Sequence, residues 1–112
     1  MKVMEQALVI SSTTAVRASV IANRTKSEEL GIIKALMIDT LKAKLSNGVA
    51  HFTFLKKDGT LREAWGTTQS NIAKAKINGR GTNRELYKTT AYYDVEKGEW
   101  RSFRWETLVQ VF

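Results

Sequence analysis

The chain has no cysteine, no proline and a single histidine, His51, among 112 residues. Without thiols there is neither a disulfide framework nor a thiolate metal centre, and a reducing compartment is compatible with the composition. A lone histidine with no cysteine beside it leaves no basis for a metal site or a Ser-His-Asp arrangement, so no catalytic residue, no metal and no cofactor is expected. Long apolar runs are missing as well. No window approaches the ~18 apolar residues of a membrane span, and Ala7 to Ile10 is too short for a secretory signal. The expectation is a soluble intracellular protein with no membrane partner. There is no internal repeat and no low-complexity tract, and this length favours one domain with one modest core.

What is present is positive charge: 18 Lys and Arg against 11 Asp and Glu, a net +7. The surplus is spread along the chain. Residues 1–46 hold seven basic against four acidic groups (+3), and residues 47–112 hold eleven against seven (+4). A spread surplus suits a nucleotide, a nucleic acid or an acidic protein surface, and equally serves solubility alone.

The first 25 residues carry weak signals, a short strand at Leu8-Val9-Ile10 and a helix from Thr13 to Ala22. The next segment is clearer. Thr25-Lys26-Ser27-Glu28 has the spacing of a capping box, and Glu28 and Glu29 suit the positive end of a helix dipole. Leu30, Ile33, Met37 and Leu41 recur at intervals of three and four, with Leu36 and Leu45 widening the stripe. Asn47-Gly48 supplies a stop, so a helix is predicted from about Lys26 to Ser46. Its apolar face would cover an open end of a barrel or pair with a second copy.

After Gly48 the hydrophobic period changes from 3.6 to 2. Val49 to Lys56 alternates, with Phe52 and Phe54 on one face. Lys57-Asp58-Gly59 is a hairpin signal, Thr60 to Thr67 returns with Leu61, Glu63 and Trp65 on one side, and Gly66 marks a bend. A long irregular stretch from Thr68 to Glu85 follows. Leu86 to Asp94 and Trp100 to Arg104 read as strands about a turn at Glu96-Lys97-Gly98. Trp105-Glu106-Thr107 reads as one tight helical turn, and Leu108 to Val111 as a last strand. The predicted architecture is α+β: a poorly defined segment 1–24, an amphipathic helix 25–47, and a five-stranded SH3-like or Sm-like β-barrel 48–112.

The segments His51 to Thr67 and Tyr92 to Arg104 resemble a family of small SH3 β-barrel, or Sm-like, proteins from gut bacteria and their phages, related to the WYL domain. The resemblance covers roughly residues 49–112 and includes both hairpins. It implies the barrel fold and a phage or mobile-element origin, hence a place in the cytoplasm of a bacterial host cell. WYL domains proper are sensors that bind nucleotides or single-stranded nucleic acid, and Arg101, Phe103 and Arg104 match their Arg-x-Phe-Arg-like run. The Trp-Tyr-Leu triplet that names those domains is missing here.

Two clusters are candidate ligand sites. Arg101 and Arg104, with Trp100 or Trp105, could join a phosphate-matched fork to a stacking ring. Strand alternation places Trp100, Ser102 and Arg104 on one face and Arg101, Phe103 and Trp105 on the other, so at least one of these rings belongs to the core. The alternative is that the arginines simply pair with Glu99 or Glu106. The second cluster, Arg80 and Arg84 with Lys74 and Lys76 about Gly79 and Gly81, could cradle an anion or be a solvated loop. Tyr87, Tyr92 and Tyr93 could stack with a ligand or fill strands. The function these features favour is a non-enzymatic binding module for an anionic ligand, a nucleotide or nucleic acid, that sequesters a nucleotide or acts on host nucleic acid. The other reading is an assembly module whose helix makes a homo-oligomer or contacts a host protein.

Overall fold

The computed structural model describes residues 11–69 and 88–112. Two helices precede a curled five-stranded antiparallel sheet. Helix α1 (Ser12–Thr25) starts at Ser11, whose hydroxyl accepts from the Thr14 amide at 3.0 Å. It ends where Lys26 turns left-handed, φ 61°. Helix α2 (Glu28–Asn47) is capped by Ser27, which accepts from the Leu30 amide at 3.2 Å. The cap is therefore not the expected Thr25. Once Lys26 has closed α1, the first extended backbone is at Ser27, and the Thr25 hydroxyl instead donates to the Ile21 carbonyl at 2.8 Å.

The buried face of α2 also differs from the expected stripe. Gly31, Ala35, Ile38, Leu41 and Leu45 are buried, whereas Leu30, Ile33 and Leu36 are exposed and Met37 is only partly covered. The reason is the close approach of α1. A Cβ added to Gly31 would lie 2.5 Å from the Ala18 carbonyl oxygen and 3.0 Å from the Ala22 Cβ. Two helices this near each other need small side chains between them, so the glycine–alanine ridge turns inward and the bulkier residues turn out. A polar clasp adds to the contact: Asp39 accepts from Thr14 Oγ1 at 2.6 Å and from Arg17 Nη1 at 3.0 Å.

The strands are β1 (Ala50–Leu55), β2 (Leu61–Thr67), β3 (Thr89–Asp94), β4 (Glu99–Arg104) and β5 (Leu108–Val111), with a 3-10 turn (Trp105–Thr107) leading into β5. The sheet order is β4-β3-β2-β1-β5, a meander whose last strand returns to pair with the first. Gly59, at φ 88°, makes the β1–β2 turn, and Asp58 Oδ1 accepts from the Thr60 amide and hydroxyl at 2.9 and 2.6 Å. Those two bonds hold the Asp58 carboxyl below its ordinary range. Curling comes from two places. A register shift between Thr53 and Phe54 bends β1 against β5. Strand β2 pairs with β1 throughout and meets β3 only through Gly66 and Thr67.

The barrel interior is filled by Phe52, Phe54, Tyr92, Phe103, Trp105 and Leu108, and α2 closes one side with Ile38, Leu41 and Leu45. The end of α2 is fastened to β2: the Leu45 carbonyl accepts from the Thr67 hydroxyl at 3.0 Å and the Thr68 amide at 2.9 Å. The expected strand at Leu8–Ile10, the start of the strand at Leu86 and most of the irregular stretch 68–85 lie outside the described residues.

Candidate anionic-ligand groove

Strand alternation decides which side chains reach the barrel mouth. On β2, Arg62 follows the inward parity of Ala64 and Gly66; on β3, Tyr92 and Asp94 point in; on β4, Arg101 shares parity with Phe103. The apolar interior therefore ends in a charged cluster. Arg62 Nη2 donates to Asp94 Oδ2 at 2.7 Å, and Arg101 faces Tyr92 across the β3–β4 ladder. Asp94 is fully buried, and its Oδ1 accepts from the Glu96 and Lys97 amides at 3.0 Å each, so it also shapes the β3–β4 turn.

Over this cluster runs a groove of about 720 Å³. One wall is the first hairpin, with Phe54, Lys56, Lys57 and Arg62; the other is Tyr92, Arg101, Phe103 and Arg104. The acid among the described lining residues is Glu106. A cleft of this size, apolar below and lined by five cations, suits a small organic anion.

Two polar atoms at the mouth are buried without a hydrogen-bond partner among the described residues: the Tyr92 hydroxyl and Arg101 Nε. The latter lies 3.6 Å from Asp94 Oδ2, too far for a hydrogen bond. Burial pushes the Tyr92 phenol up to about 12, with Asp94 adding to the rise and Arg62 and Arg101 opposing it. The phenol is thus a neutral donor at every physiological pH.

Of the residues singled out in the sequence, Arg101 and Arg104 both line the groove, at different depths. Arg101 is half-buried and its Nη2 donates to Glu99. Arg104 is exposed, with Nε 2.8 Å from Glu106 Oε2. The pairing with Glu99 and Glu106 is the arrangement foreseen as the alternative to a ligand fork. Glu106 is held from the other side by Arg24 Nη1 at 2.6 Å. Lys34 Nζ donates to its carbonyl at 2.8 Å, and burial lowers the Lys34 pKa more than Glu106 raises it.

Trp105 does not offer a stacking face. It is 1% exposed, its Nε1 donates to Thr90 Oγ1 at 3.1 Å, and the Arg17 guanidinium lies 5.6 Å from the ring centroid. The 3-10 turn drives this ring under α1 and α2, where it is core. Trp100 is half-buried outside the groove, edge-on to Tyr93 at 5.8 Å. Its Nε1 is a further buried atom without a partner among the described residues. Arg80 and Arg84 lie outside the described residues.

Arg62, Asp94 and the Lys56–Lys57 pair were not singled out as site residues, and Tyr92, weighed as a stacking ring or strand filler, is a fully buried strand residue at the groove floor. For Arg62 a signal existed: an arginine on the same strand parity as Ala64 and Gly66 must enter the interior or its mouth. His51 lies on the opposite, outer face, stacked between Trp65 (4.4 Å) and Phe112 (4.2 Å) with Nε2 2.8 Å from Glu63. No three of the described His, Asp and Glu residues converge as a metal site would require. No helix among the described residues is long and apolar enough to cross a membrane.

Strand order and groove together define a small Sm-like barrel of SH3 type with a cationic mouth. A family model described as WYL_2, Sm-like SH3 beta-barrel fold, matches residues 38–109, and the chain belongs to that family. It is also 35% identical over 81 residues to the "Uncharacterized 11.5 kDa protein in Gp31-cd intergenic region" of Enterobacteria phage T4, covering 70% of this chain and 79% of that one. No solved structure matches.

Proposed function

We propose that the protein is a non-enzymatic module that binds an anionic ligand, a nucleotide or nucleic acid, in the groove between its two hairpins. The supporting observation is a pair of buried donors without a hydrogen-bond acceptor among the described residues, the Tyr92 hydroxyl and Arg101 Nε (the latter in a 3.6 Å ion pair with Asp94), in a groove also lined by Arg62 and Arg104. A buried donor without an acceptor destabilises the empty protein, and a phosphate or carboxylate oxygen entering the mouth would satisfy both. Planar guanidinium forks match phosphate geometry, and the walls of Phe54 and Phe103 give an apolar surface beside them. The kinship with a phage protein supports action in the cytoplasm of a bacterial host, by sequestering a nucleotide or engaging host nucleic acid.

The test is fluorescence polarisation with labelled mononucleotides and short oligonucleotides, together with the A260/A280 ratio of the freshly purified protein. Binding should weaken as salt rises, and Arg101→Ala with Arg104→Ala should reduce it at least about tenfold. Binding that the double variant leaves unchanged would place the ligand elsewhere. A second reading, an assembly or host-protein contact module, is favoured by one observation: the outer face of α2 exposes Ile32, Ile33 and Leu36.

A further inference from the structure

Helix α2 has two unlike faces. The inner one packs on α1 and on β1, β2, β5 and the 3-10 turn. On the outer one, Ile32, Ile33 and Leu36 are 52, 54 and 46% exposed. At 3.6 residues per turn, Glu29, Ile33, Leu36 and Thr40 fall on one line along this face, with Ile32, Ala43 and Lys44 flanking it. All of these residues are exposed.

Along that line run an acid, two apolar residues and a small one, with the base Lys44 beside its far end. Such a line is complementary to itself when reversed. If two copies lie antiparallel with the twofold axis between Leu36 and Met37, Glu29 of one comes opposite Lys44 of the other, since 29 + 44 = 36 + 37. Ile33 then covers Thr40, and the two Leu36 side chains meet at the axis. A parallel pairing would set Glu29 against Glu29 and Lys44 against Lys44, which is repulsive at both ends. Lys44 Nζ donates to the Phe112 carbonyl at 2.7 Å and the residue is exposed, so the ammonium keeps donors for a carboxylate across the axis.

From this complementarity we infer that the outer face of α2 is an isologous contact with a second copy of the chain, two α2 helices packed antiparallel about a twofold axis. Three exposed apolar side chains per copy form a small patch, so the dimer is a weak one. The groove is lined by the two hairpins and the 3-10 turn and by no residue of α2, so dimerisation uses none of its lining residues. It also stands or falls independently of ligand binding.

Sedimentation velocity on the full chain, from low to high micromolar concentration, should show a monomer–dimer equilibrium. Leu36→Asp should hold the protein monomeric with an unchanged thermal melt, since the side chain contributes little to the core. Glu29→Lys should weaken the dimer roughly tenfold, because each dimer has two such pairs turned from attraction to repulsion. Adding Lys44→Glu to Glu29→Lys should restore it. The charge reversals keep the test sound if Leu36→Asp disturbs folding. A monomer at all concentrations, as expected if the face serves a different protein, would overturn the inference. So would a dimer indifferent to Leu36→Asp, or a Glu29→Lys defect that Lys44→Glu does not repair.

Discussion

Arg62 and Asp94 meet at 2.7 Å at the mouth of the barrel, and Asp94 is buried there with two backbone amides on its other oxygen. The pair joins β2 to the β3–β4 turn at the only described point where the two hairpins exchange charge, and it aims Arg62 along the groove wall.

Asp94→Ala is therefore expected to cost about 3–5 kcal/mol, the usual result of leaving a partly buried cation unpaired and two turn amides unsatisfied. Chemical denaturation checks this. A loss under about 1 kcal/mol would mean that the contact is open in solution.

Tyr92 predicts an alkaline transition. Its phenol, raised to about 12 by burial, keeps its proton in the folded state between about pH 10 and 12, where the unfolded state has lost it. The folded state then binds more protons, so stability is fully present below pH 10 and falls as pH rises through that window. Tyrosinate absorbance should show Tyr92 titrating late, a component that Tyr92→Phe removes. Tyr92→Phe should flatten the decline and leave neutral-pH stability unchanged or up to about 1 kcal/mol higher, because it deletes a hydroxyl that has no hydrogen-bond partner among the described residues. A loss above about 2 kcal/mol would show that the hydroxyl is bonded in solution.

Gly66→Ala should destabilise by about 1–3 kcal/mol, since the added methyl would meet Tyr92 Cδ2 at 2.5 Å and force the ring outward. Because Tyr92 floors the groove, the variant should also weaken anion binding, which polarisation measures alongside the melt.

Trp105→Ala should cost about 3–5 kcal/mol as a cavity beneath α1 and α2. The remaining indoles include the half-buried Trp100, so the emission of folded Trp105→Phe should shift to the red and become easier to quench with acrylamide. A shift to the blue instead would place the Trp105 ring in water.

Much of the barrel is legible along the chain because its signals are local. The alternation about Phe52 and Phe54, the Asp58-Gly59 turn, the tight turn at Trp105–Thr107 and the strand Leu108–Val111 each depend on neighbours a few residues apart. The inner face of α2 was not legible in that way. Leu30, Ile33 and Leu36 have the spacing of a core stripe, but the distance between two helices is set by what both carry, and Gly31 and Ala35 against Ala18 and Ala22 allow closer contact. The site was half legible. Arg101 and Arg104 stood out by type, while their meeting with Arg62 and Lys56–Lys57 depends on how two hairpins distant in the chain come together, as in the contact of Arg62 with Asp94, 32 residues apart.

The sequence alone determined a cysteine-free, positively charged chain in which a helical period gives way at Gly48 to a strand period, because periodicity and turn chemistry are properties of adjacent residues. Tertiary structure decided which of those residues face each other. Trp105 became core rather than platform, Asp94 became the buried partner of Arg62, and the apolar line of α2 was left outside, because side-chain burial follows from how closely separate elements approach and not from their order in the chain.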